Sequence, residues 1–269
     1  MTLTQPHISE RQLREWDEGG ATILDGPFSS EQIAETAAVI TRLHAEKKLG
    51  GAADYLLDPE ILDIIQHPFL EEAAKTALRC DEVEFLALAA RRKDPHPEKR
   101  AFVEHEHIDV AYGPEDMAAT PRRMIASLLV WFTDVTTENG PMLVRPGSHH
   151  TLANHFGKPA PCSENYLGLE HLPDLGFTEL EPILAKAGQI SLLTTATVHS
   201  ASSNVADVPR IVMFTMWAPK GLHIEVNMRE YPQRLAYYTQ LREHLRPERR
   251  HIVPSIADPA PEIPATDIR

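Results

Sequence analysis

The stretch FVEHEHIDVAYG, residues 102–113, places His105, His107 and Asp109 at every second position. Side chains alternate between the two faces of a β-strand, so a strand gathers these three on one face and turns Glu104, Glu106, Ile108 and Val110 to the other. A histidine and an aspartate two apart on a strand reach one ion from the same side. Imidazole with carboxylate, leaving other positions open, is the donor set of non-haem iron oxygenases, and it needs one further histidine from a distant strand. In a chain with 14 histidines, one such pair carries little by itself.

The surroundings are also β-rich. EVEFLALAARR, MIASLLVWFTDV, GPMLVRPGSHH, GQISLLTTATVHSA and PRIVMFTMWAP are short apolar runs separated by turn residues, and such a series predicts a sandwich or barrel. This character begins after about residue 82. Before it the chain reads as helical. Ser9 opens SERQLREWDEGG, which stops at Gly19-Gly20, and ATILDG is a short strand. Ser29 or Ser30 caps the next helix, with Ile33, Ala37, Ile40 and Leu43 at helical spacing and Gly50-Gly51 as its end. PEILDIIQHPFLEEAAKTAL predicts one or two helices broken near Pro68. Residues 150–187 contain proline and glycine without periodicity and are expected to cover a pocket. A late helix is expected over 229–245, and a loose proline-rich tail follows from Pro254. The reading is mainly β with flanking α-helices in one domain over 1–269: a helical part to about 80, a core over about 82–220, and a helix and tail over about 225–269.

Composition narrows the partners. The formal charge of −13 opposes phosphate backbones and anionic lipid, so neither nucleic acid nor a membrane surface is an expected partner. Cys80 and Cys162 form no CxxC pair, the N-terminus is polar, and MIASLLVWF is too short to cross a bilayer. A cytoplasmic protein with a small-molecule partner is expected. Oligomeric state is not legible.

Two further segments complete the pattern. TATVHSASSNVADVPRIVMFTMW, residues 195–217, carries His199 in one strand and Arg210 opening the next, joined by a turn of small and polar residues. A hairpin there brings both to one end of a barrel. The arginine could grip a carboxylate through a two-pronged hydrogen bond, as an iron-chelating α-keto acid with a second carboxylate requires. DVTTENGPMLVRPGSHH, residues 134–150, then joins an Asn-Gly turn to a strand and a Pro-Gly-Ser-His ending. These segments, with the opening REWDEGGATILDGPFSSEQI, resemble the phytanoyl-CoA dioxygenase family over most of residues 9–217. Only Thr133-Asp134, where the family often has two acidic residues, departs locally from the pattern.

The resemblance implies a double-stranded β-helix (jelly-roll, cupin-like) core and an oxygenase using Fe(II), 2-oxoglutarate and O₂. His107, Asp109 and His199 match the family's metal ligands, and Arg210 matches the residue that grips the remote carboxylate of 2-oxoglutarate. His149 and His150 follow a turn that supports the fold and receive no ligand role. Asp109 disfavours halogenation, since related halogenases replace that carboxylate with a small residue. Ser127 and Thr215 are candidate hydroxyl contacts to the cosubstrate. His105, Trp131 and Arg91 are candidate substrate contacts, although Trp131 and Trp217 also suit a core and the arginine run ARRKDPHPEKR also suits a solvated turn. The expected reaction is hydroxylation of an unactivated C–H bond in a small molecule, with specialised metabolism as one setting. Desaturation, epoxidation and cyclisation at the same centre, a non-catalytic cupin-like metal protein, and a zinc hydrolase are the alternatives. The last two leave Arg210 unexplained.

Overall fold

The computed structural model describes residues 8–51, 53–157, 167–222 and 231–254. Ser9 caps α1 (Glu10–Arg14) through a reciprocal box with Gln12, and the helix widens into a π-turn over Glu15–Gly19. Gly20, at φ +89°, turns the chain sharply into β1 (Ala21–Leu24), a conformation that glycine adopts without a Cβ penalty. A second capping box, Ser29 with Gln32, starts α2 (Ser30–Ala45). This helix ends before the expected Gly50-Gly51, because Glu46, Lys47 and Lys48 are all exposed and offer no further apolar face. Prolines in the first turn start α3 (Pro59–Ile65) and α4 (Pro68–Leu78), the break expected at Pro68.

β2 (Val83–Lys93) is long. β3 (His107–Ile108) is only two residues, followed by α5 (Pro114–Ala118), β4 (Ala126–Trp131) and β5 (Met142–Val144). Within the expected pocket cover lie α6 (Ser148–Phe156), β6 (Leu167–Gly168) and β7 (Glu181–Pro182). β8 (Ile190–Thr194), β9 (His199–Ala201), β10 (Arg210–Pro219) and α7 (Tyr231–His244) complete the order. The predicted tail after Pro254, the segment 158–166 and Cys162 lie outside the described residues.

Two five-stranded antiparallel sheets form the β-helix core. The longer has the order β1-β8-β4-β10-β2 and the shorter β6-β3-β9-β5-β7. GQISLLTTATVHSA, expected as one strand, divides into β8 in the longer sheet and β9 in the shorter. The predicted hairpin between His199 and Arg210 is likewise a crossover, because β9 and β10 belong to different sheets. The longer sheet is covered on its outer face by helices, where Trp16, Ile40, Leu70, Leu88 and Trp217 share one core. Leu129, Trp131, Val144, Leu193 and Val212 fill part of the space between the sheets. A bulge on β2, where Leu86 is the extra residue opposite Met216–Trp217 of β10, resets the alternation of β2, and Phe85 meets Trp217 on the helical side at 5.5 Å between ring centroids.

Candidate metal centre and its cavity

The unfilled part of the interior is a cavity of about 630 Å³ whose wall includes His107, Asp109, His199 and Arg210. His107 lies directly opposite His199 in the β3–β9 pair. Asp109, just past β3, is held by its backbone N–H donating to Thr195 O at 3.0 Å. Asp109 Oδ1 stands 3.8 Å from His107 Nε2, and Oδ2 stands 3.7 Å from His199 Nε2. One donor atom from each of the three lies within 4.8 Å of the others. Ligand atoms about 2.1 Å from a shared ion lie roughly 3 Å apart at right angles, so shifts of under about 1 Å per side chain would seat one. Each histidine is aimed by its other nitrogen. His107 Nδ1 meets His105 O at 3.0 Å, and His199 Nδ1 meets Thr197 O at 2.8 Å. An Nδ1–H donating to a carbonyl leaves the Nε2 lone pair for a metal. Burial, followed by the neighbouring His199, pushes the His107 pKa below its ordinary value, which favours the neutral form that binds metal.

The Asn-Gly turn and the Pro-Gly-Ser-His ending hold this geometry from behind. Asn139 ties its turn through Thr136 N at 2.8 Å and Asp134 O at 2.6 Å. Ser148 Oγ accepts from Val198 N at 2.8 Å, one residue before the second histidine. His149 and His150 turn away from the metal cavity and place Nε2 at 3.0 and 2.7 Å from Asp17 O.

Arg210 is 4% exposed. Its ring neighbour is Trp131, with the guanidinium carbon 5.7 Å from the ring centroid, and its Nε is buried without a hydrogen-bond partner among the described residues. Burial lowers its pKa to about 10, which leaves it cationic at neutral pH. A cation buried beside an open cavity fits a carboxylate supplied by a ligand.

The remaining expected contacts divide. His105 lines the cavity and pairs with Glu170 at 2.8 Å. Arg91 lines it too, but its fork is engaged by Asp54 Oδ2 at 2.8 Å, Ala90 O at 2.8 Å and Gly51 O. Trp131 does not contact the cavity: it is fully buried beneath Arg210, and Nε1 donates to Ser191 Oγ at 2.7 Å. Thr215 faces the helical side, where Oγ1 donates to Leu128 O at 3.0 Å and accepts from Trp217 Nε1 at 3.1 Å. Ser127 is buried in β4 outside the cavity wall. Sequence reasoning did not single out Lys93, Thr195 or Arg234, all of which form part of that wall. Neither a short motif nor local spacing marks Arg234.

The family model for phytanoyl-CoA dioxygenase matches residues 16–212. The chain belongs to the phytanoyl-CoA dioxygenase family. Among curated members of similar sequence, the ectoine dioxygenase of Sphingopyxis alaskensis is 23% identical over 236 residues, covering 78% of this chain and 76% of that protein. The ectoine dioxygenase of Bordetella bronchiseptica is 24% identical over 243 residues, covering 78% and 75%. Among solved structures, the α-ketoglutarate-dependent carbocyclase SnoK from nogalamycin biosynthesis superposes with a TM-score of 0.63 at 17% identity, covering 84% of this chain and 90% of that one. Iron-bound EctD from S. alaskensis gives 0.58 at 21%, covering 84% and 82%. These likenesses support the double-stranded β-helix as the fold of this phytanoyl-CoA dioxygenase family member. No helix among its described residues is long and apolar enough to cross a membrane.

Proposed function

We propose that this protein is a non-haem Fe(II)- and 2-oxoglutarate-dependent dioxygenase that hydroxylates an unactivated C–H bond of a small molecule. His107, Asp109 and His199 hold the metal, and Arg210 anchors the far carboxylate of 2-oxoglutarate. The observation that carries this reading is the shared cavity: three groups able to hold one ion, together with a buried guanidinium whose Nε has no partner among the described residues. A metal store or a metal hydrolase has no use for that cation. When bound, iron and cosubstrate supply the oxidising chemistry, coupled to loss of CO₂ from 2-oxoglutarate and formation of succinate. The chain's own part is to orient the imidazoles through the carbonyls of residues 105 and 197, keep the carboxylate of Asp109 on the cavity side, and exclude water beneath Trp131 and Val212.

Ectoine dioxygenases among the relatives and a carbocyclase among the structural neighbours bracket the outcomes such a centre supports in those proteins. The test is direct. Purified protein with Fe(II), ascorbate, 2-oxoglutarate and air should release succinate, and adding a substrate should accelerate that release with one hydroxylated product per succinate. A protein that binds Fe(II) yet never turns over 2-oxoglutarate across a broad substrate panel would leave only a metal-binding role.

A further inference from the structure

Arg210 shares its end of the cavity with a second cation. Lys93 lies directly opposite it in the β2–β10 pair, and side chains opposite each other in an antiparallel pair share a face. Both residues line the cavity, and so does Glu104. The stem of Lys93 crosses Gly140, where a Cβ would come within 2.8 Å of Lys93 Cδ. Its ammonium donates to Ser202 O at 2.9 Å and pairs with Glu104 Oε1 at 2.5 Å. Lys93 therefore reaches from the longer sheet to the segments that flank β9 and β3 in the shorter one.

Two cations on one face repel each other, and Glu104 acts on both. Burial lowers the pKa of Lys93, Glu104 opposes that fall, and Arg210 adds to it. Burial likewise lowers the pKa of Arg210, and Glu104 again opposes. The carboxylate touches Lys93 and reaches Arg210 through space. Its side chain is 46% exposed, so solvent reduces the longer-range effect without removing it. Two cations and one carboxylate leave the group with one positive charge, which a second carboxylate would neutralise.

We infer that Lys93 is a second cation for the far carboxylate of 2-oxoglutarate, beside Arg210, and that Glu104 stands in for that carboxylate in the ligand-free protein. This rests on the oxygenase reading. Glu104 then keeps the two neighbouring cations compensated before the cosubstrate arrives. It also weakens cosubstrate binding, because the incoming carboxylate meets an anion already set against Lys93. Glu104 thereby sets the concentration of 2-oxoglutarate to which the protein responds.

The test uses full-length protein loaded anaerobically with Fe(II) and titrated with 2-oxoglutarate. The charge-transfer absorption of that complex gives the Kd of the cosubstrate with no primary substrate present. If the absorption never forms in the wild-type protein, the oxygenase reading fails and the inference with it. If it forms, Glu104→Gln is the decisive variant, because it keeps the shape of the side chain and removes its charge. Its Kd should be about threefold or more below that of the wild type. Lys93→Met should raise Kd about tenfold or more, and adding Glu104→Gln to Lys93→Met should recover part of that loss. A pair that merely braces the two sheets predicts otherwise: Glu104→Gln would lower Tm and leave Kd unchanged or raise it. Either result for Kd overturns the inference while the oxygenase reading stands, and so does an unchanged Kd in Lys93→Met. Melting curves and iron content show that each variant is folded and loaded, and Glu104→Gln settles the matter by itself if Lys93→Met does not fold.

Discussion

His107 and His199 face each other across the β3–β9 pair, with ring centroids 4.3 Å apart and planes tilted by 54°. Each is aimed by a carbonyl two residues earlier in the chain, just before its strand begins, so the same local device is used twice on neighbouring strands.

This arrangement makes the pair a unit. His107→Ala, His199→Ala and Asp109→Ala should each reduce bound Fe(II) to background in metal analysis and stop succinate release from 2-oxoglutarate. Retention of stoichiometric iron by the Asp109 variant would remove that residue from the proposed ligand set.

Arg210 yields two opposed effects. Its buried guanidinium costs stability in the ligand-free protein, so Arg210→Met should stabilise that form by about 1–3 kcal/mol. The same change should raise the KM for 2-oxoglutarate on the order of 100-fold and remove the rise in Tm that 2-oxoglutarate gives the wild type. Iron content should be unchanged. An unaltered response to 2-oxoglutarate would show that the carboxylate binds elsewhere.

Gly20 lies under the second histidine. A Cβ at this position, already at φ +89°, would collide with Thr197 Oγ1, and Thr197 O aims the ring of His199. Gly20→Ala should therefore cost more than about 2 kcal/mol and lower Tm by roughly 5–10 °C. Fe(II) affinity should fall with it. A melting temperature within about 1 °C of wild type would mean the turn relaxes at little cost.

His149 gives the protein an acid limit. Burial first, then His150, lowers its pKa to about 4, against an unfolded value near 6.5. The unfolded chain thus binds a proton that the folded chain refuses. The contribution is fully present above about pH 6.5 and is lost as pH falls from there toward 4, on the order of 3 kcal/mol in all. His149→Gln should flatten the dependence of Tm on pH in this window. Equal slopes in both proteins would place the acid sensitivity elsewhere.

The site was legible in the sequence where period two decided it. His107 and Asp109 read as one face and both line the cavity, but Glu104 and Val110, expected on the other face, line it too, because only His107–Ile108 is regular strand. The same rule, applied through to the end of β10, would have rejected Thr215: it lies five residues from Arg210, an odd spacing, and so faces the helices. Trp131 has the right parity but is capped by Arg210, and burial depth of this kind depends on the opposite sheet. The extent of β3 was overread because its neighbours satisfy their backbone groups irregularly, Glu104 N on Ala201 O and Leu169 N on Glu106 O, and alternation alone does not report this. Arg234 was invisible for a related reason: a helix gains its position over a cavity from docking, which two distant tyrosine hydroxyls enforce here.

The two sheets differ greatly in strand length. β2 and β10 span 11 and 10 residues, whereas β3 and β9 span two and three. The proposed metal ligands therefore sit on the thinner wall, where few ladder hydrogen bonds resist opening. Iron there would act as a rivet as well as a reagent. Chelation should loosen amide protons around residues 104–109 and 199–201 while the long strands keep theirs, so loss of metal would be felt as local breathing before any global unfolding.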